Sequence, residues 1–237
     1  MLGKFITDCE DSLTAAVFTH LLHLPSEVFW QILRNACYTS SLPEDAGEPR
    51  SVEFWPKWDP EGTDNNIYVE PDVFIRFANF DLLIEAKRWN DDMQDSGQWE
   101  RELIAYTNEY GYEKRPVKMI AVGGIHTNQD DALTHNWRSL SSGDPHLFIC
   151  PVHMCRWSSL LLECQRMERE LGRLKYQSSQ TRAQERILAD LIELCAWLGF
   201  VTVRWFDYSV FKAHLLGPSI DSNQQLLRRI NLQFRVP

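Results

Sequence analysis

Residues 70–87 read Glu-Pro-Asp-Val-Phe-Ile-Arg-Phe-Ala-Asn-Phe-Asp-Leu-Leu-Ile-Glu-Ala-Lys. Two apolar, β-prone runs, one carrying Val73, Ile75 and Phe77 and one carrying Phe80, Leu82 and Ile84, flank Ala78-Asn79. Asn tolerates the positive φ of a tight turn, so the pattern predicts a β-hairpin over 68–87. Side chains alternate faces along a strand. Glu85 and Lys87 therefore share one face, with Asp81 and Leu83 before them, while Ile84 and Ala86 share the other. Counting outward equally from the 78–79 turn sets Asp72 opposite Glu85. Opposite Cβ atoms of an antiparallel pair lie about 4.5–5.5 Å apart. Two carboxylates that close repel unless a cation sits between them. Mg²⁺ takes oxygen ligands and keeps several waters, and Lys87 on the same face can orient or deprotonate one of those waters. Charged residues are unusual at the end of so apolar a strand unless something there needs them. As a polar residue at a strand end, Lys87 is expected to contribute little to the core.

Glu-x-Lys or Pro-Asp alone is a common string. Jointly, Pro71-Asp72, the apolar hairpin and Glu85-Ala86-Lys87 resemble the active-site core of the PD-(D/E)xK nuclease superfamily. The specific resemblance covers residues 70–98, and the element order is similar over about 8–155. It implies that Asp72 and Glu85 are ligands of Mg²⁺ or Mn²⁺, often joined by the Ala86 carbonyl. It implies that Lys87 positions the attacking water and stabilises the transition state. A first helix often adds an acid to such sites. Glu10 is preferred over Asp11 because it lies on the stripe of Leu13, Val17 and Leu21, although both also suit the positive end of a helix dipole. Many members carry a Gln on the helix after the core, and Gln98 fits that slot, with Trp99, Leu103 and Tyr106 as buried neighbours. Branches with Gln-x-x-x-Tyr place a Tyr four residues on. Here Glu102 stands there, and Tyr106 lies two turns beyond Gln98.

The remaining punctuation is readable from caps and periodicity. Helices are predicted over 8–24, with Thr7 or Asp8 as N-cap, and over 26–37, followed by a loop over 40–50. A strand is predicted over Val52–Trp58, then the hairpin, a helix over 95–110 and strands over 117–123 and 147–154. Helices over 157–174 and 179–198 follow, the second ended by Gly199, with a short helix at 206–215. The expected class is α/β, a central mixed β-sheet flanked by helices with extra C-terminal helices. Residues 1–155 would form the restriction-endonuclease-like core and 156–237 a helical extension packed on it as part of one domain.

At 237 residues with 44% hydrophobic content, nine Trp and twelve Phe, the chain can bury a sizeable core. It contains no apolar run of about 18 residues and no N-terminal signal pattern, so a soluble cytoplasmic protein is expected. Cys9, Cys37, Cys150, Cys155, Cys164 and Cys195 are scattered through apolar segments and read as reduced, buried thiols. The net charge of −9 argues against a stand-alone grip on nucleic acid through bulk charge. A local basic patch must face the substrate, or a partner must deliver it. Arg76, Lys87, Arg88 and Arg101 are near the site in sequence. Arg166, Arg169, Arg173, Lys175, Arg182 and Arg186 are interleaved with Glu163, Glu168, Glu170 and Glu185, as on a solvated face with i,i+4 pairs.

The function implied by the resemblance is metal-dependent hydrolysis of phosphodiester bonds, of DNA more than RNA. The implied setting is a prokaryotic defence or restriction system, acting with a protein partner or as a homo-oligomer, away from membranes. Two alternatives remain open from the sequence: an RNA nuclease, and a non-catalytic protein-interaction module on the same fold using the abundant aromatics.

Overall fold

A computed structural model of the chain describes residues 10–38, 42–88, 94–125, 136–138, 149–174, 176 and 178–200. The first helices are α1 (Glu10–Leu22) and α2 (Ser26–Ala36). Three strands follow, β1 (Ser51–Phe54), β2 (Val73–Arg76) and β3 (Asp81–Ala86), and then α3 (Ser96–Tyr110). After a 3₁₀ turn at Gly111–Glu113 come β4 (Val117–Val122), β5 (Asn136–Arg138) and β6 (Ile149–Cys155). Helices α4 (Trp157–Gly172) and α5 (Ser179–Trp197) close the described chain.

Among the described residues the sheet has six strands in the order β1-β2-β3-β4-β6-β5. β1, β2 and β3 form an antiparallel meander, β4 and β6 run parallel to β3, and β5 is antiparallel to β6. This is the expected α/β class with a mixed sheet. A parallel neighbour needs a crossover connection, and α3 provides it between β3 and β4. The helix starts where Asp95 accepts a hydrogen bond from the Gly97 amide. Trp99, Leu103, Ala105 and Tyr106 form its buried stripe.

Every residue of β3 is buried because helices cover both faces of this central strand. On one face, Leu82, Ile84 and Ala86 pack with Val73, Ile75 and the apolar sides of α1, α2, α4 and α5. On the other, Leu83 and Phe74 meet Trp99, Leu103 and Tyr106 of α3, together with Met119 and Val152. Leu160, Leu161 and Cys164 of α4 and Leu188 and Leu191 of α5 share the first core with Leu13, Val17, Phe18 and Leu21 of α1. Helices on either side of residue 155 thus bury their apolar faces in a single cluster, and the described residues fall in one compact unit.

The hairpin is tighter than its apolar pattern suggests. Phe77 N donates to Phe80 O across the turn (3.0 Å), and the paired strands stop at Val73 and Ile84. Before them, Val69 makes only an isolated bridge with Trp58. The predicted 52–58 strand breaks after Phe54 because Trp55 turns into the left-handed region, φ 50°. β5, three residues long, was not foreseen, since Asn136-Trp137-Arg138 carries no period of its own and is a strand only by pairing with β6.

Cys150, Cys155, Cys164 and Cys195 are buried free thiols and Cys37 is partly buried, as expected. Burial pushes the Cys150 and Cys195 thiols up to about 12. Cys9, the caps at Thr7 and Asp8, Lys175 and the 206–215 helix lie outside the described residues.

Candidate functional site

The β2–β3 register pairs Val73 with Ile84 and Phe74 with Leu83. Its next step outward sets Asp72 against Glu85, as counting from the turn predicts. The same alternation puts both carboxyls on the α3 side of the sheet, with Phe74 and Leu83 beneath them. Asp72 is 8% exposed and Glu85 1%. Asp72 Oδ2 accepts a hydrogen bond from the Ala86 amide at 2.7 Å, so backbone of one strand orients the carboxylate of the other.

Lys87 lies one residue past β3. Its Nζ is 2.6 Å from Glu85 Oε1, which establishes the shared face. Gln98, in the first turn of α3, donates from Nε2 to the same Oε1 at 2.7 Å. Four expected site residues, Asp72, Glu85, Lys87 and Gln98, are therefore brought together. The fifth, Glu10, opens α1, and its side chain lies outside the described residues.

One turn of α3 beyond Gln98 comes a carboxyl that the sequence analysis did not assign to the site. Glu102 is completely buried among Trp99, Leu103 and Tyr106. Its carboxyl interacts with Glu85 and feels Asp72, and its pKa stands well above the usual range. Burial is the main cause, followed by the negative charge of Glu85 and a hydrogen bond with it, then Asp72; Lys87 opposes them. A signal was present in the sequence: a Glu four residues after Gln98, inside the helix's apolar stripe.

Three supports hold the strand end in place. Lys87 N donates to Val122 O (2.7 Å), continuing the parallel ladder, and Trp157 Nε1 donates to Lys87 O (2.8 Å). Gln94 Nε2 lies 3.2–3.4 Å from the carbonyls of Glu85, Val122 and Gly123, and its Oε1 accepts from Trp99 Nε1 at 3.0 Å. Gly123 lets these strands meet: its φ is +72°, and a Cβ there would overlap the Lys87 carbonyl oxygen and stand 2.7 Å from Trp157 Nε1. Neither Gln94 nor Trp157 belongs to a motif.

Of the four basic residues near the site in sequence, Lys87 lies at it, and Arg76, Arg88 and Arg101 are engaged in other contacts. Arg76 sits at the turn end of the hairpin, away from Glu85. There it pairs with Asp81 (3.3 Å) and Glu113, and Asp81 also takes Arg115 (3.0 Å) and the Tyr106 hydroxyl (3.0 Å). Arg88 is 4% exposed and donates to Leu198 O at 3.2 Å. Arg101 pairs with Asp95 and Asp64. On α4, Arg166 bridges Glu163 and Glu170 at i,i+3 and i,i+4, the solvated pairing expected of that stretch.

The donors at the site are hard oxygens, carboxyls from Asp72, Glu85 and Glu102, with no sulfur or imidazole among them. That chemistry fits Mg²⁺ or Mn²⁺ rather than a softer metal. Glu102 is hydrogen-bonded to the Glu85 carboxyl, and neither of its oxygens accepts a hydrogen bond from a donor among the described residues. Among the described residues no group of three or more acidic, histidine or cysteine side chains is placed to hold a metal ion by itself.

No family model matches the chain, and no solved structure matches it. It is 31% identical over 118 residues to a protein of Pasteurella multocida described as uncharacterized. The match covers 49% of this chain and 43% of that protein, so the chain spans less than half of that relative's length. No helix among the described residues is long and apolar enough to cross a membrane.

Proposed function

We propose that the chain is a metal-dependent nuclease of the PD-(D/E)xK type, hydrolysing phosphodiester bonds, of DNA before RNA. The observation that carries this is the joint placement of Asp72 and Glu85 on one face of a hairpin end, with Lys87 and Gln98 both within hydrogen-bond distance of Glu85. Element order supports it too: helix, antiparallel meander, helix, parallel strand.

Asp72 and Glu85 would hold Mg²⁺ or Mn²⁺. A cation bound there supplies neutralisation of phosphate charge and a more acidic water. Asp72 is oriented by the Ala86 amide, and Glu85 is fixed by donors from two directions, so neither carboxylate needs to reorganise as charge develops. The Lys87 side chain stays partly exposed while its ammonium is held on Glu85, and its role would be to stabilise charge on the phosphate. Gln98 keeps the Glu85 rotamer. The net charge of −9, with Arg76, Arg88 and Arg101 engaged in internal contacts, favours action with a protein partner or as a homo-oligomer. A prokaryotic defence or restriction setting follows from the resemblance alone.

The test is a cleavage assay of the purified chain on plasmid, single-stranded DNA and RNA, with Mg²⁺, Mn²⁺ or EDTA, beside Glu85→Ala. Cleavage should need metal and vanish in the variant. Cleavage that persists in EDTA, or in folded Glu85→Ala, refutes the assignment.

A further inference from the structure

Glu102 is the buried acid to which the mechanism above gives no role. Its side chain is completely buried within the apolar stripe of α3, where an apolar residue would serve packing better. Neither of its oxygens accepts a hydrogen bond from a donor among the described residues, its one side-chain hydrogen bond is with the Glu85 carboxyl, and Asp72 and Lys87 are the other charged groups it faces. An ionised carboxyl without compensation is expensive to bury.

We propose that Glu102 is the third carboxylate of the cation site, a positioning residue that accepts hydrogen bonds from waters of the cation held by Asp72 and Glu85. This deepens the nuclease assignment and rests on it. Mg²⁺ retains several waters when protein-bound, which gives a carboxyl outside direct ligand geometry something to bind. Gln98 and Glu102, one turn apart on α3, would then divide the work. Gln98 fixes the ligand Glu85, and Glu102 adds an acceptor for the water shell. Their spacing on a rigid helix fixes both distances together.

The test is calorimetric titration of the full chain with MnCl₂ and MgCl₂, comparing wild type, Glu85→Ala, Glu102→Gln and Glu102→Met, each checked for folding by circular dichroism. Losing an outer partner of a metal site costs about 10–100-fold in affinity. Glu102→Gln should therefore bind with unchanged stoichiometry but about 10–100-fold more weakly, while Glu85→Ala should not bind. Without metal, Glu102→Gln should melt no lower than wild type, so that weaker binding cannot be ascribed to unfolding. Should the Gln variant fail to fold, Glu102→Met, which suits the apolar stripe, decides the same comparison. Wild-type affinity in a folded Glu102 variant, with none in Glu85→Ala, overturns the role of Glu102 and leaves the nuclease assignment standing. No binding by the folded wild type overturns both.

Discussion

Gly123→Ala tests how the site is held together. The residue sits at φ +72°, directly after β4, where its amide donates to Cys155 O at 2.8 Å. Placing a Cβ in the left-handed region costs roughly 1–2 kcal/mol. The added methyl also overlaps the Lys87 carbonyl oxygen and stands 2.7 Å from the Trp157 Nε1 that donates to it. The obstacle is backbone, so no side-chain rotation relieves it, and the bond between Trp157 and Lys87 must break or stretch. Leaving such a buried pair unsatisfied costs about 1–3 kcal/mol. The total is about 2–5 kcal/mol, a large part of the roughly 5–15 kcal/mol that stabilises an ordinary domain. Gly47→Ala is the control. Gly47 has nearly the same φ, +71°, but its Cβ would meet only Ala78 Cβ at an ordinary 3.8 Å, so it should lose only the backbone term of about 1–2 kcal/mol. Urea unfolding with unchanged m-values measures both. Gly123→Ala should also weaken Mn²⁺ binding, because displacing the Lys87 backbone moves the residue that holds Glu85. If the two variants lose the same stability, close packing at Gly123 is not what braces the strand end.

Lys87→Ala should destabilise the fold by about 1–3 kcal/mol, more than a strand-end polar residue would, because Lys87 pairs with buried Glu85 and its loss leaves Gln98 on that oxygen. A loss within about 0.5 kcal/mol in chemical denaturation, the level of a surface change, would show the ion pair to be unimportant; cleavage should be absent in either case. Burial, aided by Lys118, pushes His153 down from 6.5 to about 4, so the unfolded chain binds a proton more readily across that window. Stability should therefore be full above pH 6.5 and fall toward pH 4, by at most about 1.4 kcal/mol per pH unit. His153→Leu should flatten that part of the urea-midpoint profile, and an identical profile in the variant would assign the acid sensitivity elsewhere.

What residues 70–98 establish unaided is the hairpin and the grouping of its polar side chains. Strand alternation has a period of two and the turn lies at Ala78-Asn79, so the register that sets Asp72 against Glu85 and puts Lys87 on the same face follows from local rules. The same holds for Gln98, because Asp95 caps α3 and the apolar stripe fixes which way the helix turns. Tertiary structure decided the rest. Glu102 is a polar letter in a helical pattern until α3 packs on the sheet and buries it against Glu85. Arg76 is near Glu85 in sequence, yet β2 ends at the turn and carries it to Asp81 and Glu113. β5 exists only through β6, and Gly123, Gln94 and Trp157 meet at Lys87 from separate parts of the chain. Each depends on which distant segments pack together, and short-range periodicity carries no information about that.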